Sequence, residues 1–233
     1  MLAALREAIA AGALDWDAVV TLEPYWISLP TGVLQDWPQG APLTIHTLAV
    51  KMISISDNTA TDGLIDLLGR TAVERHAPRN RPFLTTREAF VLKDPGNDDL
   101  LQRYRQVELD ERWAVLEETR ERPLPAPEIF TRGPLALDVE WFFSVEELCD
   151  LMAAVGDVPF MSINPGLADT DQWQSVAFKG GSEPGVLNLT TGLVDEAGTF
   201  YCVASTWNDD QELDEVRMIG LHSSLLAAIQ ELD

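Results

Sequence analysis

Two short strings carry side chains able to exchange protons. Ser56-Asp57-Asn58 sets a hydroxyl, a carboxylate and an amide in a row, and Lys179-Gly180-Gly181-Ser182 sets an ammonium before two residues without side chains. On residue type alone both strings have ordinary readings. Ser, Asp and Asn are capping and turn residues, and Lys-Gly-Gly reads as a strand running into a flexible turn. Metal chemistry finds no support, because no H-x-x-x-H or C-x-x-C spacing occurs, and no metal or other cofactor is expected. His46, His76 and His222 stand apart from one another and read as structural or solvated.

The elements that must position these strings follow from periodicity. Met1 to Gly12 has strong helix propensity and a glycine where the helix would stop. Asp15 to Gly40 is rich in Pro and Gly and reads as loop with one short strand. Thr44 caps a helix whose apolar stripe is Ile45, Leu48, Ala49 and Met52; Ser56-Asp57-Asn58 interrupts the run, and a second helix follows with Ala60, Leu64, Leu67 and Leu68 on one face. Arg70 to Arg132 is charge-rich, with a helical stretch around Tyr104 to Arg120 ended by Pro123, Pro125 and Pro127. Ser144 and Glu147 form a capping box for a helix reaching Val155. Beyond it the period changes to that of strands at Val176 to Phe178, Val186 to Val194 and Thr199 to Thr206, the last two joined by a turn at Asp195 to Gly198. Leu213 to Leu232 reads as an amphipathic helix covering one sheet face. Helices followed by antiparallel strands and a closing helix give an α+β class.

Composition narrows the partners. The 233 residues are 46% hydrophobic and 23% charged, which fits one packed domain rather than a disordered chain. The formal charge of −22, with lysine only at Lys51, Lys93 and Lys179, would repel phosphate backbones and anionic lipid. Nucleic acid and membrane surfaces are therefore not expected as partners. No apolar run approaches the roughly 18 residues that span a bilayer, and no signal peptide is evident, so localisation is left unassigned. Cys149 and Cys202 lie in apolar stretches and read as small core residues; a disulfide between them is left open, with no support from the sequence.

The context of the two strings adds a family. Met52 to Gly69 closely resembles the S-D-N segment of the class A serine β-lactamases, and Phe178 to Ser182 resembles the K-T-G strand end of the same enzymes and of their penicillin-binding relatives, in the same order along the chain. The likeness runs on: Ala3 to Asp17 looks like the helix after the nucleophile, Ser28 to Leu48 like the loop before the S-D-N helix, and Glu140 to Val155 like a lid-side helix of the helical lobe. Phe83 to Glu88 and Lys179 to Gly185 look more like uncharacterised serine hydrolases of actinobacteria than like resistance enzymes. The resemblance implies one β-lactamase/transpeptidase-like domain over 1–233, with a helical lobe at about 15–160 and the sheet with the C-terminal helix at about 170–233. It also implies acyl-enzyme hydrolysis of a β-lactam or a peptidoglycan-like amide or ester, in a family often exported. Ser56 would relay a proton toward the leaving nitrogen with help from the Lys179 ammonium, and Asn58 would bind the substrate amide. Asp57 would point inward and pin its turn. Gly180, Gly181 and Ser182 would line the substrate, with the Ser182 N–H as an oxyanion donor.

The chain also departs from the pattern. The family's nucleophile lies in S-x-x-K, and no serine here has a lysine three positions on; Ser175 and Lys179 are four apart. The strands that normally precede the nucleophile's helix are absent from the sequence too, so it reads as an N-terminally shortened version of a longer domain, and Thr199 to Thr206 is expected to be a bare sheet edge prone to self-association. Gly180 replaces a hydroxyl residue that binds the substrate carboxylate, a charge-assisted bond worth roughly 1.5–3 kcal/mol. The string nearest to the deacylating E-x-x-L-N is Glu121 to Pro125, with proline in place of asparagine. Three readings result: a serine hydrolase inactive as this chain stands, a non-catalytic ligand-binding module, and an interaction protein recruiting a strand at its edge.

Overall fold

A computed structural model describes residues 1–231. The final residues of the predicted 213–232 helix and of the 1–233 domain therefore lie outside the described residues. The chain divides into two compact units, Met1–Thr131 with Leu135–Phe142, and Arg132–Pro134 with Phe143–Asp233.

The first unit is built of helices. α1 (Leu2–Ala10) buries Leu2 to Leu5, and a two-stranded ribbon of β1 (Val19–Thr21) and β2 (Pro42–Thr44) pairs Val19 with Thr44. α2 (Ile45–Ser54) starts at Thr44, whose hydroxyl accepts the Thr47 N–H at 3.0 Å, and ends just before Ser56. α3 (Asn58–Leu68) packs on α2 and buries Ala60, Leu64 and Ile65. Its Gly63 lies under the Trp26 ring, where a Cβ would come within 2.8 Å of the indole. α4 (Arg70–Glu74) follows, then α5 (Thr86–Lys93), α6 (Asp98–Gln106) and α7 (Arg112–Thr119). These last three surround Leu92, Leu100, Tyr104, Val115 and Leu116. The stretch expected to be helical from Tyr104 to Arg120 is two helices, broken at 107–111.

In the second unit β3 (Ser175–Glu183), β4 (Val186–Val194) and β5 (Phe200–Asn208) form an antiparallel sheet in the order β3-β4-β5, with Lys179 opposite Thr190. Alternation turns Leu187, Leu189, Leu193 and Val203 to one face, where α9 (Glu215–Ile229) buries Met218, His222 and Leu226. Burial of each such apolar side chain contributes about 1.5–3 kcal/mol. The opposite face is covered by α8 (Val145–Val155), which starts in the Ser144–Glu147 capping box. Gly192 pairs with Cys202, and a Cβ on Gly192 would come within 2.7 Å of Met152 of α8.

α8 packs on β4 and β5. Cys149 of α8 and Cys202 of β5 are joined in a disulfide, the alternative that the sequence left open. β5 has no strand on its outer edge among the described residues. No helix among them is long and apolar enough to cross a membrane.

Candidate functional site

In the first unit the chain must turn sharply between α2 and α3. Ser56 takes a left-handed conformation with φ 54°, which a residue bearing a Cβ adopts only at a cost of order 1 kcal/mol. The turn is paid for by Asp57. Its carboxylate is fully buried and accepts three backbone N–H groups: Ala60 at 2.9 Å, which caps α3, Val33 at 2.8 Å and Leu34 at 3.0 Å. Gly32, at φ +110°, passes so near that a Cβ would stand 2.3 Å from the Asp57 carboxyl carbon. The same loop is stitched on by the Thr31 hydroxyl donating to the Ser56 carbonyl at 2.7 Å and the Asn58 N–H donating to the Thr31 carbonyl at 3.0 Å. Asn58 donates its side-chain N–H to the Leu29 carbonyl at 3.0 Å, which orients the amide and leaves its oxygen without a protein partner among the described residues.

In the second unit Lys179, Gly180, Gly181 and Ser182 follow one another along β3, an edge strand paired only with β4 among the described residues. Burial pushes the Lys179 ammonium down to about 8, because little water remains to solvate the charge. Its Nζ donates to the Gly180 carbonyl. Gly180 is hemmed in, with a Cβ there reaching 3.1 Å from the Phe178 ring and 3.3 Å from the Asn188 carbonyl, whereas a Cβ on Gly181 would meet nothing within 4 Å. The strand therefore offers a bare, open backbone beside a desolvated amine.

Ser56, Asp57 and Asn58 are thus gathered in one unit, and Lys179 to Ser182 in the other. A further cluster in the first unit escaped the sequence reading. Asp62, one helical turn beyond Asn58, is buried and accepts the Thr86 N–H at 2.6 Å and the Arg87 N–H at 2.9 Å, closing the start of α5 from outside. Burial pushes its carboxyl up to about 7 against those two donors. Beside it Arg70 pairs in a fork with Glu88, and its guanidinium lies 5.1 Å from the centre of the Trp113 ring. These groups join residues 24, 25 and 18 positions apart, so no local signal announces them.

Comparison with known proteins supplies the fold's relations. Residues 1–87 match the β-lactamase enzyme family. A β-lactamase from Sphaerobacter thermophilus DSM 20745 superimposes over 99% of this chain and 79% of its own, with a TM-score of 0.57 at 19% identity. The fold is that of the class A β-lactamases and their penicillin-binding relatives. PBP-A, at 18% identity and a TM-score of 0.58, aligns over 99% of this chain and 78% of its own, and a PBP-A mutant is known as an acyl-enzyme complex with penicillin G. The chromosome-encoded β-lactamase of Vibrio parahaemolyticus gives a TM-score of 0.58 at 13% identity, over 98% of this chain and 80% of its own. No curated protein sequence matches the chain. The superfamily resemblance drawn from the sequence therefore stands, and a β-lactamase-like chain of mixed helices and antiparallel sheet is what the structure contains.

Proposed function

We propose that this chain carries the proton-transfer and substrate-positioning parts of a serine hydrolase of the class A β-lactamase type, acting on a β-lactam or a peptidoglycan-like amide or ester through an acyl-enzyme. Ser56 relays a proton toward the leaving nitrogen and Lys179 supports it, its lowered proton affinity bringing the amine into the range where it can exchange protons near neutral pH. Asn58 accepts the N–H of the substrate amide. The edge backbone at Gly180, Gly181 and Ser182 receives the scissile carbonyl, with the Ser182 N–H as donor. The observation that supports this reading most is the Ser56-Asp57-Asn58 turn, where a fully buried carboxylate with three N–H donors holds an unfavourable serine conformation that simple capping would not require.

A second reading, a ligand-binding protein without covalent chemistry, is favoured by one fact: no serine in the sequence has a lysine three positions on. The outer edge of β5, unpaired among the described residues, also supports self-association by strand pairing. Intact-mass spectrometry after incubation with a fluorescent penicillin separates the two functional readings. It is run on this chain and on a version extended upstream to any S-x-x-K. The hydrolase reading predicts a covalent adduct on the extended form alone, and absence of an adduct on both forms would move the binding reading ahead.

A further inference from the structure

His222 lies in the middle of α9 and is fully buried against the sheet. Its ring spans two strands: Nε2 is 3.1 Å from the Thr191 hydroxyl of β4, and Nδ1 is 2.9 Å from the Ser205 hydroxyl of β5. A neutral imidazole donates from one nitrogen and accepts at the other, and a hydroxyl can serve as either partner, so both hydrogen bonds are satisfied without charge. Met218 and Leu226, one turn away on each side, seal the ring from water. The helix is thus fastened to the sheet by one polar pin among apolar contacts.

Among the described residues, the other side chains packed around the ring are apolar. On this face β4 presents Leu187, Leu189 and Leu193, β5 presents Val203 and Trp207, and β3 presents Val176 and Phe178. Alternation turns Lys179 to the opposite face. The titratable groups on the near side are Tyr201, four residues from Ser205 along β5, and Asp195, to which the Tyr201 hydroxyl donates at 3.1 Å. On α9 the charged residues are Glu215 and Arg217, both exposed and in the first turn.

We propose that His222 makes the docking of α9 onto the sheet proton-sensitive, so that the helix is held at neutral pH and loosens in mild acid. Burial holds the imidazole below its ordinary range, since protonation would place an uncompensated charge between two hydroxyls. The undocked helix exposes the ring, which then titrates near its free value of about 6.5. Between that value and the lower one of the docked state the undocked form binds more protons, so docking weakens as pH falls and is at full strength above about 6.5. Strands β4 and β5 hold one another through their ladder, and β5 is tied to α8 by the disulfide, so the change is confined to α9.

The test is amide hydrogen exchange of residues 218–226 at pH 7.5 and 5.5, corrected for intrinsic rates, on the wild type and on His222→Gln, whose amide can bond both hydroxyls without titrating. Opening of the wild-type helix is expected to rise several-fold at pH 5.5, with about tenfold as the ceiling, because the exposed imidazole gains its proton only below about pH 6.5. His222→Gln is expected to abolish that rise. Equal pH dependence in both proteins would overturn the proposal. Should His222→Gln fail to fold, NMR titration of the wild-type His222 ring decides: a midpoint below the ordinary imidazole value supports it, and a midpoint at or above that value overturns it.

Discussion

The Ser56 turn and the Lys179 strand end are held in place by different physics. Ser56 sits in a conformation its residue type disfavours, and a single carboxylate, Asp57, gathers N–H groups from a loop some two dozen residues away to keep it there. Lys179 to Ser182 need no such anchor, because their conformation is the extended one of the ladder and their position is set by register with β4. The first region spends a buried charge on geometry. The second spends geometry on a charge, since the strand draws an ammonium out of water and lowers its proton affinity. The proposed function asks for a rigid serine and an amine of lowered proton affinity, and each is obtained by the means its own unit allows.

The comparison can be broken from either side, beginning with the covalent tie of the second unit. Removing the disulfide, by Cys149→Ser with Cys202→Ser, releases a closed loop with a sequence separation of 53 residues, for which chain entropy gives about 4 kcal/mol of lost stability. Hydrogen exchange should show the loss in β4, β5 and α8, and protection of α2 and α3 should stay unchanged. Asp57→Ala leaves three backbone donors without their acceptor and should cost about 3 kcal/mol in urea denaturation, with exchange rising around 31–34 and 56–60 instead. Asp57→Asn, which keeps an oxygen but loses the charge, should fall between.

Smaller effects test the amine. Lys179→Met removes the need to bury an ammonium and should raise stability at pH 7 by about 1 kcal/mol or more. In the wild type the folded lysine titrates near 8 and the unfolded one near its ordinary 10.5, so the unfolded chain binds more protons between those values and stability rises with pH across that window. Chemical denaturation at pH 7.5 and 10 should show that rise in the wild type and lose it in Lys179→Met. The least effect belongs to the glycines: Gly181→Ala should change stability by within about 0.5 kcal/mol, whereas Gly180→Ala, which meets the Phe178 ring and the Asn188 carbonyl, should cost more.

What the sequence made legible is what is local. Thr44, Ser144 with Glu147, and the strand alternation of β4 each act within a few residues, and each element stands where the pattern puts it. The two chemical strings were legible as strings. What was hidden depends on distant partners: the Cys149–Cys202 bridge, Asp62 closing α5, and the Arg70–Glu88 pair. The pattern of α8 gives the helix but not its partner, since an apolar stripe reads the same whether it covers other helices or a sheet. The break between α6 and α7 falls at Val107-Glu108-Leu109-Asp110-Glu111, which contains neither glycine nor proline to mark it.

The proton affinity of Lys179 is measured most directly by titrating it, by NMR of the reductively ¹³C-methylated protein with Lys179→Arg to assign its signal. A Lys179 midpoint near 8 is expected in the folded protein, moving up to the ordinary lysine range in denaturant. A folded-state midpoint at the ordinary value would show a solvated ammonium and contradict the claim that β3 holds a poised amine.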